Sequence, residues 1–355
     1  MNFREIVAAF CLQGELRSVR ELPGGNVHGT YLLGVGEKNV LAQKLNTVAF
    51  RDPETLMQNV GTVLTHLRTA APERIFLRYY ETPDGKTFWN GEGGIWRVCD
   101  YIPSVSITDT ADLRAVRSAG SAYGEFLTML SDLEPSRLRE TIPAFHDTRK
   151  RFEDLSRDAE RDPCGRLASA REELSFLYSV RDRACVLTDL FAAGELPLRV
   201  THNDTKLANV LFDETTRDAI AVIDLDTVMP GLVGHDFGDA VRSAANTAGE
   251  DCTDPSRVKI DLSVYRAFSD GFLEKTARML TDTEIRTLAP SCFAITCELA
   301  ARFLDDYLVG DRYFRIRFPE QNLARAKCQI ALAKDMLSKM KKMNAIALQS
   351  AEKYR

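Results

Sequence analysis

Residues 201–226 read THNDTKLANVLFDETTRDAIAVIDLD, and this stretch combines a polar loop, two short apolar runs and an acidic end. The apolar runs are Val210–Phe212 and Ala219–Ile223, and the polar segment Asp213–Asp218 between them has the composition of a turn. Two such runs joined by a polar turn predict a β-hairpin. A hairpin reverses the chain, so residues before its first strand meet residues after its second.

Three polar residues beside this hairpin form the candidate active site. Asn209 precedes the first strand and Asp224 follows the second, so the hairpin brings them together, and Asp204 points at the same space. Amide and carboxylate oxygens suit Mg²⁺, which takes other ligands from water and nucleotide phosphates, and Asp226 is a candidate ligand of a second metal ion. Asp204 is left to orient a substrate hydroxyl and accept its proton during phosphoryl transfer from ATP. The alternative is a polar turn capped by Asp204 and an unrelated acidic strand end.

The spacing of these residues carries a resemblance. His202-x-Asp204-x4-Asn209 followed by Asp224-x-Asp226 resembles the aminoglycoside phosphotransferase and choline kinase group of kinase-fold small-molecule kinases. Within that group, further blocks are similar to those of the N-acetylhexosamine 1-kinases, among them AQKLNTVAF, MPGLVGHDFGDAVR, ARFLDDYLVGDRYF and NLARAKCQIALAKDM. The resemblance implies phosphorylation of the anomeric hydroxyl of N-acetylglucosamine or N-acetylgalactosamine. The spacing alone predicts only a kinase of some hydroxyl compound.

The rest of the chain predicts an α+β, bilobal fold of the protein-kinase-like type, with a small β-rich lobe over 1–99 and a helical lobe over 100–355. A hinge at about 99–103 would form the cleft between a nucleotide-binding lobe and a catalytic, sugar-binding lobe. The first lobe is predicted to contain a short first helix, strands on both sides of a glycine-rich turn, strands at Val40–Leu45, Ile75–Tyr80 and Gly94–Tyr101, and a helix at Glu54–Arg68. The second lobe is predicted to contain long amphipathic helices at Leu113–Leu130, Leu174–Phe191, Val258–Leu280, Ile285–Leu308 and Leu323–Met343.

The glycine-rich turn is a candidate phosphate-binding loop. Its backbone can approach phosphates closely, and the residues concerned are Gly24, Gly25, Asn26 and His28. The same residues also suit a turn that serves only to connect two strands. The sequence matches neither a Walker A motif nor G-x-G-x-x-G, so a P-loop fold is disfavoured.

Two further segments are candidates for contact with the nucleotide. Where a kinase-like lobe carries a phosphate-binding lysine, this chain has Gln43, followed by Lys44. Strand side chains alternate between faces, so only one of the two faces the cleft unless a bulge intervenes. The resemblance implies that Gln43 is the one that does so, and Lys44 is then a solvated surface residue. Glu54 either pairs with a cation here or stabilises its helix terminus. Cys99 and Tyr101, in the hinge, are expected to contact the adenine.

The resemblance places acceptor recognition near Arg302 and Tyr313, with Asp306 as a carboxylate that can accept from sugar hydroxyls. The alternative is an i, i+4 ion pair between Arg302 and Asp306 among core aromatic residues. His202 is expected to pack beneath the catalytic loop as a structural residue. Asp236 is expected to accept hydrogen bonds from that loop, unless Asp236 or Asp239 caps a helix that begins near Ala240.

Composition agrees with a cytoplasmic enzyme. The 355 residues are 45% hydrophobic and 27% charged, and the net charge of −5 argues against a nucleic-acid partner. Eight isolated cysteines indicate reduced thiols, no apolar run reaches the roughly 20 residues of a membrane span, and the N-terminus lacks a signal-peptide pattern. We expect a monomer or small homo-oligomer that binds a small-molecule sugar. Three alternative functions stay open. The first is a kinase of the same fold that acts on another sugar, an aminoglycoside or an amino alcohol. The second is a protein kinase, which the missing D-F-G sequence disfavours, and the third is a non-catalytic nucleotide-binding protein.

Overall fold

The N-terminal sheet has five antiparallel strands in the order β1-β2-β3-β5-β4. The computed structural model describes residues 2–22, 27–91, 93–107 and 109–355. The strands are β1 Leu16–Glu21, β2 Gly29–Val35, β3 Lys38–Lys44, β4 Trp89–Gly91 and β5 Gly94–Asp100. Helix α1, Phe3–Ala9, covers one face of the sheet, where Ile6 and Phe10 pack against Leu33 and Trp96.

Helix α2, Pro53–Ala70, joins the sheet to the helical part of the chain. Asp52 caps it by accepting hydrogen bonds from the amides of Glu54 and Thr55, and Pro53 stands at its first turn, where a missing N–H costs nothing. The buried side of α2, including Val60 and Leu64, shares one apolar cluster with residues of the C-terminal part such as Phe126, Leu130, Val200 and Leu225. The two parts therefore have a common core on this side.

Eight helices build the C-terminal part that the structure describes. They are α3 Leu113–Met129, α4 Thr148–Arg161, α5 Arg171–Ala184, α6 Val186–Ala192, α7 Val233–Ala244, α8 Leu262–Thr276, α9 Asp282–Leu308 and α10 Gln321–Tyr354. Helix α9 is central, since it contacts α4, α5, α6, α7 and α10. Within the described ranges α9 alone is long and apolar enough to cross a membrane, and 83% of that apolar window is buried inside the fold.

Helices α3 and α8 approach each other at backbone contact. A Cβ added to Gly120 would lie 2.4 Å from the carbonyl oxygen of Phe268, and one added to Gly271 would lie 2.0 Å from that of Arg117. Neither position has room for a side chain. These two helices form one side of the large apolar cluster, and Val210 of the predicted hairpin packs into the same cluster.

The structure departs from the predicted elements in several places. Residues 75–80 form no strand, and only Tyr79 makes an isolated bridge, to Cys99, while the short strand β4 takes the edge of the sheet instead. The helix predicted over Leu174–Phe191 is two helices that meet at Cys185, because Leu177 packs in the cluster around α9 and Leu187 in a separate one. The predicted Val258–Leu280 helix begins only at α8, where Asp261 caps it.

Candidate active site

The loop that carries Asp204, called the catalytic loop here, lies between two small two-stranded antiparallel sheets. Strands β6 Arg199–Thr201 and β9 Met229–Gly231 pair with each other and frame the loop and the acidic end of the stretch. Strands β7 Val210–Phe212 and β8 Ala219–Val222 form the predicted hairpin, which is confirmed. The amide of Ile223 also donates to the carbonyl of Asn209 at 2.9 Å, so the two ends of the hairpin meet as expected.

Asp204 lies at the centre of this arrangement. Its Oδ2 is 2.9 Å from Lys206 Nζ and accepts from Asn209 Nδ2 at 3.0 Å, and Asn209 Nδ2 also donates to the Asp204 carbonyl. Burial would raise the pKa of Asp204, but the charge of Lys206 and the hydrogen bonds from Lys206 and Asn209 hold that pKa below its ordinary value. The carboxylate is therefore ionised and partly exposed, as the acceptor of a hydroxyl proton must be.

Lys206 is a functional candidate that the sequence analysis missed. Burial opposes its charge, but Asp204 and the nearby carboxylates of Asp224 and Asp239 raise the pKa of Lys206 above its ordinary value. The side chain is thus a positive charge held beside Asp204. Its position two residues after Asp204 in the loop is the sequence signal that could have identified it.

Asp224 has the properties of a metal ligand. It adopts a left-handed backbone conformation, with φ of 61°, directly after β8, and no residue that the structure describes makes a hydrogen bond or ion pair with its carboxylate. Burial and the neighbouring Asp226 and Asp204 raise the pKa of Asp224 above its ordinary value, and the charges of Lys206 and Arg97 only partly oppose this rise. A strained backbone and a carboxylate among other carboxylates fit a divalent cation.

Asn209 can supply the second protein oxygen. Its Nδ2 donates to Asp204, which leaves Oδ1 without a donor among the described residues. No three His, Cys, Asp or Glu side chains in the described part of the chain group as a metal site. One carboxylate and one amide are too few for an all-protein site, but they suit Mg²⁺ that completes its shell with water and phosphate.

The prediction that Asp226 binds a second metal ion is wrong in this structure. Both oxygens of Asp226 accept from Arg97, at 2.5 and 2.8 Å, and Oδ2 also lies 2.6 Å from His28 Nε2. The carboxylate is 2% exposed, and although burial opposes it, Arg97 and His28 hold the pKa of Asp226 far below its ordinary value. Asp226 therefore connects residues 201–226 to the N-terminal sheet, through His28 just before β2 and through Arg97 of β5.

The expected role of His28 as a phosphate donor is corrected by the same geometry. Its Nδ1 accepts from the amide of Asn46 at 3.0 Å, so its only proton is on Nε2 and points to Asp226. No N–H remains for a phosphate. Gly24, Gly25 and Asn26, the other candidates in this turn, lie outside the described residues.

Gln43 and Lys44 lie on opposite faces of β3. Gln43 is paired in register with Arg97 on β5 and accepts from Arg97 Nε at 2.9 Å, which places it on the face of the ion pair. Its contact with the nucleotide stays a prediction. Lys44 lies opposite Trp96, and its alkyl chain lies over Gly94, on the other face of the sheet. The sequence analysis missed Arg97, which occupies the neighbouring strand and is 1% exposed.

The remaining nucleotide-side candidates differ in accessibility. Cys99 is 2% exposed within β5, and burial raises the pKa of its thiol to about 12, so it can offer only an apolar wall. Tyr101 follows the end of β5 and is half-buried. Glu54 is exposed at the start of α2 and makes no ion pair with a described residue, which favours the helix-terminus interpretation.

Asp236 holds the catalytic loop through its backbone. Its two oxygens accept from the amides of His202 at 2.9 Å and Asn203 at 2.7 Å. Helix α7 begins at Val233, so Asp236 and Asp239 lie within it and the interpretation as caps near Ala240 is wrong. Asp239 instead pairs with Arg242 of the same helix at 2.7 Å.

His202 is fully buried beneath the loop. Its Nε2 donates to the Ile223 carbonyl at 2.9 Å, and its ring contacts Tyr123 and Phe126 edge-on. Its Nδ1 faces the amide of Asp204 at 3.3 Å, which makes the ring neutral. The geometry matches the structural position expected for His202.

The acceptor-side candidates separate into two kinds. Arg302 lies over three aromatic rings, with its guanidinium carbon 5.2 Å from the centroid of Phe145, 5.7 Å from Tyr313 and 5.5 Å from Phe314. It forms no ion pair with Asp306 or with any other described residue, and Tyr313 is 59% exposed. Both side chains can therefore meet a ligand.

Asp306 is not available to a sugar. Its carboxylate accepts from the amides of Arg312, Tyr313 and Phe314 at 2.8 to 2.9 Å, and from Asn322 Nδ2 at 2.9 Å. The predicted ligand and the alternative ion pair with Arg302 are both wrong. Asp306 instead fixes the loop after α9 so that Tyr313 and Phe314 stay against Arg302.

Residues 18–259 match the phosphotransferase enzyme family, so most of the chain, including the sheet, the hairpin and all of the Asp204 site, lies within the match. The chain belongs to the phosphotransferase enzyme family. The chain thus has the kinase-like α+β fold of a small-molecule phosphotransferase, and the assignment of the loop, hairpin and acidic strand end as its active site stays a prediction. The assignment of nucleotide binding to 1–99 and catalysis to 100–355 stays a prediction.

Solved structures with the same fold cover the phosphotransferase over nearly its whole length. An aminoglycoside phosphotransferase from Alicyclobacillus acidocaldarius has a TM-score of 0.63 at 14% identity and covers 99% of this chain and 97% of its own. A microcompartment-associated aminopropanol kinase has a TM-score of 0.63 at 15% identity, over 97% and 99%. A spectinomycin phosphotransferase in complex with ADP and spectinomycin has a TM-score of 0.59 at 12% identity, over 98% of each chain. At these identities the likeness concerns the fold.

Proposed function

We propose that this phosphotransferase transfers the γ-phosphoryl group of ATP to the anomeric hydroxyl of N-acetylglucosamine or N-acetylgalactosamine. The phosphotransferase activity follows from the family. The sugar rests on the sequence blocks shared with N-acetylhexosamine 1-kinases and on the charge of the acceptor side. The use of ATP is supported by the spectinomycin phosphotransferase, which was solved with ADP.

The observation that carries the choice of acceptor is the unpaired Arg302. Two carboxylates on the same helix are already engaged, since Glu298 accepts from His146 and Thr148, and Asp306 accepts from four donors. A third, Asp305, has one oxygen without a partner among the described residues, and burial, Asp158 and Asp154 raise the pKa of Asp305 to about 7, which weakens its negative charge. Arg151, a second cation, lies close enough for the two charges to repel, and burial and Arg302 lower the pKa of Arg151. The accessible charge on this side is therefore positive.

A positive acceptor side favours a neutral ligand with oxygen acceptors over a cationic one. An arginine can donate two hydrogen bonds to an acetamide or hydroxyl oxygen, and the exposed ring of Tyr313 can cover an apolar sugar face. An aminoglycoside or amino alcohol would instead bring its ammonium group towards Arg302. Such a pair of like charges is destabilising unless a carboxylate lies between them.

In the proposed reaction, Asp204 accepts a hydrogen bond from the anomeric hydroxyl and takes its proton as the oxygen attacks phosphorus. Lys206 holds Asp204 ionised and lies where it can contact the transferred group. Asn209 and Asp224 would hold Mg²⁺, which when bound neutralises phosphate charge as the bond to the leaving oxygen breaks. Asp236 and His202 fix the loop so that Asp204 keeps its direction.

The second candidate is a kinase of an amino alcohol or aminoglycoside, because solved structures of that kind share the fold over nearly the whole chain. An ADP-release screen with Mg²⁺ separates the two. Its acceptors are N-acetylglucosamine, N-acetylgalactosamine, glucosamine, spectinomycin, ethanolamine and 1-amino-2-propanol. Turnover with the two N-acetylated sugars supports the proposal, whereas turnover confined to the cationic acceptors contradicts it. Asp204→Asn is the inactive control.

A further inference from the structure

His146 lies between the acceptor side and the catalytic loop. Its Nδ1 is 2.8 Å from Glu298 Oε1 and its Nε2 is 3.0 Å from the carbonyl oxygen of Asn203, the residue before Asp204. The His146 and Glu298 side chains are 8% and 1% exposed. Glu298 is one helical turn before Arg302 on α9. The ring is therefore a direct bridge from the helix that carries Arg302 to the peptide that carries Asp204.

The two partners of this ring are both acceptors. A backbone carbonyl can only accept, and so can an ionised carboxylate, so two ring N–H donors are needed to satisfy both. A neutral imidazole has only one N–H, and it would leave a buried oxygen facing a nitrogen lone pair. Thr148 Oγ1 donates to the other oxygen of Glu298 at 2.7 Å, so Glu298 is arranged as an ionised acceptor.

The other four histidines differ in this respect. His28, His202 and His235 each have one ring nitrogen facing a backbone amide, which requires a lone pair there and a neutral ring. His66 places one nitrogen, Nε2, near both Met129 O and the exposed Asp132. Among the contacts of the described residues, only His146 has an acceptor at each ring nitrogen.

The charged groups around His146 favour the protonated ring. Burial disfavours the charge, but Glu298, the Asn203 carbonyl and Asp239 of α7 raise the pKa of His146 above its ordinary value. His146 and Arg302 hold the pKa of Glu298 at about 2, despite burial. His235 of α7 lies against the ring with centroids 4.8 Å apart, and burial and His146 lower the pKa of His235 to about 3, so it stays neutral. Asp236 adds a further carboxylate on the same helix.

The backbone of Asn203 is held by hydrogen bonds at both its amide and its carbonyl group. Its amide donates to Asp236 at 2.7 Å and its carbonyl accepts from His146, while the residue has a left-handed φ of 64°. A non-glycine residue keeps such a conformation only when its surroundings fix it. Rotation of this peptide would turn Asp204 away from the acceptor, and a displacement of about 1 Å can cost 10²-fold in rate.

We propose that His146 is a positioning residue whose ring is doubly protonated at neutral pH, where it locks the Asn203–Asp204 peptide and couples it through Glu298 to the acceptor helix α9. The neighbouring Phe145 extends the same connection, because its ring lies under the guanidinium of Arg302. The coupling rests on the proposed function only in that Arg302 contacts the acceptor. The protonation state does not depend on it.

The first test is the ring protonation of the intact protein. Long-range ¹H–¹⁵N correlation spectra of the imidazole groups distinguish a doubly protonated ring from either neutral form. With only five histidines in the chain, His146→Gln and His66→Gln assign the two signals of interest. We expect His146 to be doubly protonated at pH 7. A neutral His146 at this pH would overturn the proposal whether or not the sugar is the acceptor.

The second test uses Glu298→Gln. The glutamine amide can donate to His146 Nδ1 while Nε2–H still donates to Asn203, so the network is satisfied by a neutral ring. In the wild-type protein the stabilisation is complete below the ordinary histidine pKa and is lost as pH rises through the raised one. We expect kcat of the wild type to fall about tenfold across that alkaline transition, and Glu298→Gln to lack the transition. Persistence of the same alkaline fall in Glu298→Gln would contradict the proposal.

The variants also separate positioning from simple stability. His146→Gln is expected to lower kcat at least tenfold, since the loop carbonyl loses its charged donor, with the KM for ATP changed less than about threefold. His66→Gln, the matched surface histidine paired with Asp132, should change neither. Equal thermal destabilisation of both variants with unaltered kcat would assign His146 a structural role only. The assay uses whichever acceptor supports turnover, so failure of the sugar assignment is seen separately.

Discussion

Replacement of Asp226 by asparagine tests whether this residue stabilises the fold through its ion pair or binds a metal ion. The carboxylate is 2% exposed and binds both Arg97 and His28. Asparagine keeps the shape but leaves the buried guanidinium of Arg97 without a counter-charge. Removal of one partner of a buried ion pair costs about 3–5 kcal/mol. At about 2 °C per kcal/mol for a chain of this size, the melting temperature should fall by about 6–10 °C.

The matched variant is Asp224→Asn, two residues away. Burial, Asp226 and Asp204 raise the pKa of Asp224, so removal of its charge relieves repulsion and should leave the melting temperature equal or higher. Its activity should fall by about 10²-fold or more, since a group that would hold the metal is lost. Asp226→Asn is therefore expected to lower the melting temperature, whereas Asp224→Asn is expected to lower the activity.

Thermal unfolding and Mg²⁺ titration of the initial rate measure both effects. A double variant, Arg97→Met with Asp226→Leu, tests the cause, because an apolar replacement of a buried pair is often neutral and should recover much of the lost stability. If Asp226→Asn had an unchanged melting temperature and a raised Mg²⁺ requirement, Asp226 would be a metal ligand and the assignment of the two residues would be refuted.

Three further substitutions test separate parts of the site. Asp306→Ala removes the carboxylate that accepts hydrogen bonds from three loop amides. In steady-state kinetics we expect the KM for the phosphoryl acceptor to rise about tenfold and the KM for ATP to stay unchanged. An unchanged KM for the phosphoryl acceptor would contradict the role of the loop. Lys206→Met removes the cation beside Asp204 and should lower kcat by about 10²-fold, and a change confined to acceptor KM would refute this. His202→Ala should lower kcat less than Asp204→Asn, because His202 supports the loop and has no contact with the reacting groups; equal losses would place His202 in the chemistry.

The hairpin and the positions of its polar residues are predictable from the sequence, because alternation, turn composition and chain reversal are local properties. Asp204 and Asn209 are joined by a hydrogen bond, and Asp224 follows the returning strand as expected. The roles of Asp226 and Asp306 are not predictable in this way. Both depend on partners far along the chain or on loop amides that have no sequence signature.

Arg97 illustrates the limit most clearly. In the sequence it is one cation in an alternating strand, and nothing local distinguishes it from a solvated residue. The register of β3 and β5 places it beside Gln43, and its ion pair crosses 129 positions of the chain to Asp226. The same is true of His146, whose two partners are 57 and 152 positions away. Long-range pairing, and not residue type, gives these side chains their roles.

The most direct test of the proposed reaction is to identify the atom that receives the phosphoryl group. The protein, ATP, Mg²⁺ and N-acetylglucosamine labelled with ¹³C at the anomeric carbon are incubated, and ³¹P and ¹³C spectra are recorded. We predict a new phosphate monoester signal coupled to the labelled carbon, absent with Asp204→Asn and with the 1-deoxy sugar. No sugar phosphate, or a phosphate on another hydroxyl, would contradict the assignment of this phosphotransferase as a kinase of the anomeric position.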